Sequence, residues 1–263
     1  MNMDKFFLLI SSLLLLTSCA EQYNIAGNSS VSCLDGRTLY LRDTPENLSS
    51  RTMAVQHEQN GCIDSCKVIH GRFSFAGDVD SVRMVLLYSG SQCVMPMVIE
   101  NGNLSVQVDN VGQRVSGGPL NDKLYRFFQK KNRLDNEMWE LQQRTICMIR
   151  EGETLEAIEK KMGSKARKLA QKAEDLETNF VMENYSNALG TGFFQLLCSQ
   201  YPTPVMTGQI QRIVEKAPSS FLNNPFVRSY VTQARLRMEA HDKALQQQEG
   251  CGTITVTHSV TFP

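Results

Sequence analysis

Cys19 closes the tetrapeptide Leu16-Thr17-Ser18-Cys19 at the end of an apolar run, where a thiol is the substrate of lipid attachment. Lys5 supplies the positive charge ahead of the run, with Asp4 beside it, and Phe6 to Leu16 is an apolar stretch of 11 residues broken only by Ser11 and Ser12. Crossing a hydrocarbon core takes roughly 20 apolar residues, so this run reads as a cleaved signal. Thr17 and Ser18 are small, as a lipoprotein signal peptidase requires. The expected chemistry is diacylglycerol on the Cys19 sulfur, cleavage before it, and N-acylation of the freed amine. Each buried CH₂ contributes about 0.8 kcal/mol, so several chains anchor firmly where one is marginal. These lipids are the only non-protein groups expected, and no cofactor is. Ala20, Glu21 and Gln22 lack an inner-membrane retention Asp, which points to the outer membrane of a cell envelope over the inner one and leaves periplasmic or exterior facing open.

Acylation of Cys19 leaves Cys33, Cys62, Cys66, Cys93, Cys147, Cys198 and Cys251. The odd number puts at least one outside any pairing within a monomer. Cys62 and Cys66 have the spacing C-x₃-C, whereas redox catalysis uses C-x-x-C at a helix N-terminus that lowers one thiol pKa. The pair sits in strand-like sequence. A structural disulfide, two free thiols and thiol–disulfide chemistry all stand as readings of it. His57, His70, His241 and His258 lack ligand spacing, so no metal site is expected, and His70 before Gly71 reads as a turn residue. Glu100, ahead of Asn101-Gly102, reads as a hairpin residue or a binding carboxylate. No G-x-S-x-G, phosphate loop, Gly-rich dinucleotide turn or carboxylate pair is present, so no catalytic residue is named. Lys plus Arg and Asp plus Glu each total 27, a balance that argues against nucleic acid as a partner.

The elements that must position these residues change character near residue 116. Up to there the chain reads as six or seven short strands. Leu39-Tyr40-Leu41 follows an Asp35-Gly36 turn, and Ile63–Ile69 meets Phe73–Phe75 across His70-Gly71. Between 82 and 88, Arg83, Val85 and Leu87 share one face, and Met84, Leu86 and Tyr88 the other. Asn101-Gly102 is a strong hairpin signal ahead of Leu104, Val106 and Val108. Pro119 suits the first position of a helix carrying Leu120, Leu124, Phe127, Leu134, Met138 and Leu141 at helical spacing, and Gly152 ends it. A second helix is predicted from Thr154 to Ala188, antiparallel to the first, with Gly190 as a C-cap. Further helices are predicted over 193–200, over 205–216 behind Thr203-Pro204, and from Asn224-Pro225 to Gln248. Ile254, Val256, His258, Val260 and Phe262 alternate as a strand. The predicted fold is α+β: an N-terminal antiparallel β-sandwich or open barrel, a helical domain and a C-terminal strand. The boundaries are signal peptide 1–18, tether 19–22, β-domain 23–116, helical domain 117–249 and strand 250–263.

Several stretches together resemble one family. They are Tyr23-Asn24-Ile25-Ala26-Gly27, Leu34 to Leu41, Ile63-Asp64-Ser65 with Val68, Gly71, Arg72, Phe73, Ser74, Phe75 and Gly77, Val98 to Leu104, and Ser116-Gly117-Gly118-Pro119-Leu120-Asn121-Asp122. The chain is similar over about 23–135 to the domain of unknown function 4369 family of Gram-negative envelope lipoproteins. In larger members this β-domain and a helical segment precede a thioredoxin-like or peroxiredoxin-like domain with a C-x-x-C nucleophile pair. This chain has no C-x-x-C and reaches Pro263 where that domain would start, so the resemblance carries no redox residue over. It implies a lipid-anchored accessory protein that binds or scaffolds an envelope protein through an unidentified surface. Asp64 and Ser65 belong to its signature, either as hydrogen-bonding residues that fix a strand crossing or as ligand contacts.

Overall fold

A computed structural model describes residues 21–44 and 61–250. Cys19, the signal segment and the expected strand 250–263 lie outside the described residues, apart from Gly250 at the end of a helix. The described chain forms two compact units. Residues 21–43 with 61–129 make one, and residue 44 with 130–250 makes the other. The units part inside a helix, not at the Gly-Gly-Pro sequence that precedes it.

The first unit contains eight strands: β1 (Gln22–Ser29), β2 (Thr38–Asp43), β3 (Cys62–Lys67), β4 (Arg72–Asp78), β5 (Arg83–Ser89), β6 (Gln92–Ile99), β7 (Gly102–Val108) and β8 (Gln113–Ser116). They form two four-stranded sheets in the orders β4-β1-β7-β8 and β3-β2-β5-β6. Period-two alternation decides what each sheet buries. Tyr23 and Ile25 of β1, Phe73 and Phe75 of β4, and Leu104, Val106 and Val108 of β7 meet Leu39, Leu41, Val85, Leu87, Met97 and Ile99 of the second sheet in one core. This is the expected α+β sandwich, with one departure: β1 and β7 pair in parallel, Ile25 beside Leu104, while every other pairing is antiparallel.

Two expected hairpins turn out to be corners between the sheets. At His70-Gly71 both residues have positive φ, 50° and 71°, the requirement of a type I′ turn, and Ile69 and Arg72 exchange backbone hydrogen bonds of 2.9 and 3.0 Å across it. Beyond that bridge β3 and β4 part into different sheets. At Asn101-Gly102 only Gly102 has positive φ, 109°, so no I′ turn forms and the chain passes from β6 in one sheet to β7 in the other.

Seven α-helices follow among the described residues: α1 (Pro119–Arg150), α2 (Leu155–Ile158), α3 (Ser164–Met182), α4 (Ala188–Cys198), α5 (Gly208–Glu215), α6 (Ser219–Leu222) and α7 (Pro225–Gly250). Pro119 and Pro225 start helices as predicted. Gly152, at φ 83°, ends the turn after α1, and Lys131 of α1 reaches Glu177 of α3 at 3.0 Å, so α1 and α3 run antiparallel. The predicted single helix over 154–188 is divided by a π-turn at Glu159–Gly163 and ends at Met182. Gly190 lies inside α4, whose N-cap is Asn187; its side chain accepts from the Leu189 N–H. Thr203-Pro204 starts no helix; α5 begins at Gly208 because the Thr207 hydroxyl accepts the Ile210 N–H. The core of this unit is aromatic. Phe194 is fully buried and makes edge contacts with Phe221, Phe226 and Tyr230 at 5.5, 6.4 and 6.1 Å. No helix among the described residues is long and apolar enough to cross a membrane.

Candidate functional site

Glu100 follows the last residue of β6, and its buried carboxylate is directed at the start of α1. A helix leaves its first backbone N–H groups without internal partners. Pro119 has none to offer, and the Gly118 carbonyl takes the Asp122 N–H at 2.9 Å, which makes Gly118 the N-cap. A glycine cap brings no side-chain acceptor. Glu100 supplies it from another element: Oε2 accepts from Leu120 N at 3.3 Å and Oε1 from Asn121 N at 2.9 Å. The negative charge also faces the positive end of the helix dipole. Asn121 completes the joint. Its Nδ2 donates to Glu100 Oε1 at 2.7 Å and to Val98 O at 2.8 Å, and its Oδ1 accepts from Val98 N at 2.9 Å. The amide thereby pairs with edge strand β6 as a neighbouring strand would. Gly118 leaves room for the carboxylate, since a Cβ there would lie 2.1 Å from Glu100 Oε1.

The other signature residues interlock in the sandwich. Phe73, Phe75 and Gly77 occur at alternate positions of β4, in step with Gly71 in the turn ahead of it. The Phe73 ring lies over Gly27, where a Cβ would come within 2.1 Å of it, and Tyr23 lies over Gly77, where a Cβ would come within 2.8 Å of the hydroxyl. Each large ring thus fills the space that a missing side chain leaves on the paired strand. Asp64 bends its carboxylate back to accept its neighbour's backbone, Ser65 N, at 2.7 Å. Burial raises the Tyr23 hydroxyl pKa, and the Asp64 charge adds to that rise. Asp64 and Ser65 therefore lie on β3, with the opening strand's Tyr23 within electrostatic reach of Asp64.

Cys62 opens β3 and Cys66 is its next-to-last residue, so the strand does not bring them together. At about 3.3 Å per residue they stand roughly 13 Å apart along the strand, well beyond the ~7 Å Cα separation that a disulfide spans. Both are free thiols, as are Cys33, Cys93, Cys147 and Cys198. Cys66 packs against the sandwich core. Burial pushes its thiol up to about 11, with the Ser74 backbone opposing this and Asp64 adding to it. A thiol that stays protonated at neutral pH is a poor nucleophile. Iodoacetamide at pH 8 is therefore expected to label exposed Cys62 well ahead of Cys66, with Cys66 labelling accelerating as pH climbs toward 11. Equal rates at pH 8, measured by peptide mass spectrometry, would contradict this placement. Burial also raises the pKa of Cys198, in the helical unit.

The spacing of Glu100 and Asn121 did not disclose their partnership. The signal lay in Gly117-Gly118-Pro119: a helix start without a capping side chain requires an acceptor from elsewhere. Among the described residues no group of three or more His, Cys, Asp or Glu converges as metal ligands would. A comparison with curated proteins finds no match. The family model described as Domain of unknown function (DUF4369) matches residues 23–124, from the Tyr23 that lies over Gly77 to the first turns of the helix that Glu100 caps. Residues 23–124 are thus similar to the family that the sequence itself resembles.

Proposed function

We propose that the protein is a lipid-anchored component of the cell envelope, tethered through Cys19, with a non-catalytic role in binding or scaffolding another envelope protein. The observation that carries the non-catalytic part is the use to which the signature residues are put. Glu100, Gly118 and Asn121 are spent on joining strand to helix. Tyr23, Gly27, Phe73 and Gly77 are spent on packing the two strands that carry them. The anchor rests on Leu16-Thr17-Ser18-Cys19 after its short apolar run. The separation of Cys62 from Cys66 along β3 weighs against thiol–disulfide exchange within that pair.

Intact-mass analysis and membrane fractionation test the anchor. The protein from its native envelope is expected to begin at Cys19 with the added mass of diacylglycerol and an acyl chain, and Cys19→Ala is expected to move it to the soluble fraction. A Cys19→Ala protein that stays with the membranes would overturn the tether. Crosslinking in intact cells tests the binding role. The same envelope protein is expected to be captured by the wild type and by Cys62→Ala/Cys66→Ala. Turnover of a disulfide substrate by the purified protein, lost in that double variant, would overturn the non-catalytic reading.

A further inference from the structure

The outer face of α1 carries an ordered stripe that the packing of its own unit does not use. Leu141 and Met148 are buried on one side of the helix, while Trp139, Ile146 and Ile149 are 60%, 41% and 52% exposed. At 3.6 residues per turn, Asp135, Trp139, Gln142, Gln143, Ile146 and Arg150 fall along one stripe, roughly opposite the buried one. Isolated exposed apolar side chains are ordinary. This stripe is distinguished by its order. Taken about the midpoint between Gln142 and Gln143, Asp135 corresponds to Arg150 and Trp139 to Ile146. The acid at one end matches the base at the other, and the two large apolar residues stand at equal distances inside them.

We propose that this face docks a second copy of the same chain, with the two α1 helices antiparallel across a twofold axis at Gln142 and Gln143. A twofold contact uses the same patch on both partners, so every favourable pair occurs twice. Here Asp135 of one copy meets Arg150 of the other at both ends, and each indole packs on the opposing Ile146. Asp135 lies 3.2 Å from Lys131 of its own helix, and its side chain is half exposed, which leaves an oxygen for the second cation. The paired segment, from 135 to 150, is about 24 Å long. A contact of that length belongs with the smaller specific interfaces and makes a reversible dimer. The inference stands apart from the lipid anchor and from any envelope partner.

Trp139 is the chain's only tryptophan, so its fluorescence reports on this face alone. The purified full chain, kept reduced so that exposed Cys147 forms no crosslink, is diluted over about two decades of concentration and followed by sedimentation velocity and emission. The expected result is a monomer–dimer equilibrium in which the emission shifts to shorter wavelength as dimer forms. Asp135→Arg alone and Arg150→Asp alone are each expected to weaken association about ten-fold or more by setting like charges together. The combined Asp135→Arg/Arg150→Asp chain is expected to recover most of it. All the changed residues are exposed, and circular dichroism checks that each variant keeps its helices. A monomer at every concentration would overturn the proposal. So would short-wavelength emission that ignores dilution, which would mean that the chain covers the face itself. An emission shift on adding phospholipid vesicles but not on concentrating the protein would assign the face to a membrane. A double variant as weak as the single ones would remove the proposed register.

Discussion

Replacing Glu100 with alanine is expected to destabilise the sandwich unit by about 3 kcal/mol. A buried carboxylate that accepts from Leu120 N, Asn121 N and Asn121 Nδ2 is removed, and all three donors are left facing a small cavity. A hydrogen bond to a charged group contributes about 1.5–3 kcal/mol, and leaving a buried donor unpaired costs about 1–3 kcal/mol. The three bonds act through one joint, so their losses are not additive. Glu100→Gln keeps the shape but turns one oxygen into an NH₂ that faces backbone donors, and it is expected to recover only part of the loss. Glu140→Ala, an exposed acid on α1, is the control and is expected to cost under about 0.5 kcal/mol. For a unit of this size, the Glu100→Ala loss corresponds to a melting temperature lowered by more than about 10 °C. Hydrogen exchange should show the lost protection concentrated at Leu120, Asn121 and Val98. A variant whose melting and exchange match the wild type would show that the carboxylate is not what holds the helix start.

Phe194→Ala is expected to cost the helical unit about 3–5 kcal/mol, the range for removing a buried phenylalanine. Its ring touches Phe221, Phe226 and Tyr230, so it joins α4, α6 and α7 at a single point. Tyr230 in turn holds Val205 through a hydroxyl that both donates to its carbonyl and accepts from its N–H, each at 3.1 Å. A collapse around position 194 therefore also loosens the segment that leads into α5. Phe194→Leu keeps much of the apolar volume and is expected to cost about half as much. The loss should appear in the helical circular dichroism, with exchange protection of β1 and β7 retained. Equal loss of protection in the strands would show that the two units unfold together.

The sequence pattern was most legible where one residue type decides the backbone locally. Pro119 and Pro225 start helices because a fixed φ and a missing N–H suit that position. His70-Gly71 turns because both residues accept positive φ. Alternation along β7 showed that Leu104, Val106 and Val108 face inward, whereas β5 buries both faces, with Val85 and Leu87 in the sandwich core and Met84 and Leu86 on the other side. Alternation said nothing about which sheet a strand joins, because period two is the same in either. Asn101-Gly102 was therefore misread as a hairpin when it is a corner, and the parallel partner of β1 was out of reach of any local rule. Thr203-Pro204 was read as a helix start because of its proline, and the structure starts the helix after Thr207 instead, where the hydroxyl is placed to accept the Ile210 N–H. The Glu100–Asn121 joint spans about twenty residues and two element types. Its local sign was the glycine cap, and its partner is visible only once β6 and α1 are side by side. The self-matching stripe on α1 was written in the sequence throughout, and it took its meaning only when Leu141 and Met148 proved to use the opposite face.

The parallel pairing of β1 has a mechanical meaning. β1 lies between β4 and β7, with seven matched residues on each side, Gln22 to Asn28 against one and Tyr23 to Ser29 against the other. Ladder bonds run across the strands. A pull on the chain ahead of Gln22, directed along β1, therefore loads both ladders in shear and must slide them at once, where an edge strand drawn sideways would open like a zipper, one bond at a time. The first strand is the place where this domain is best built to bear a load.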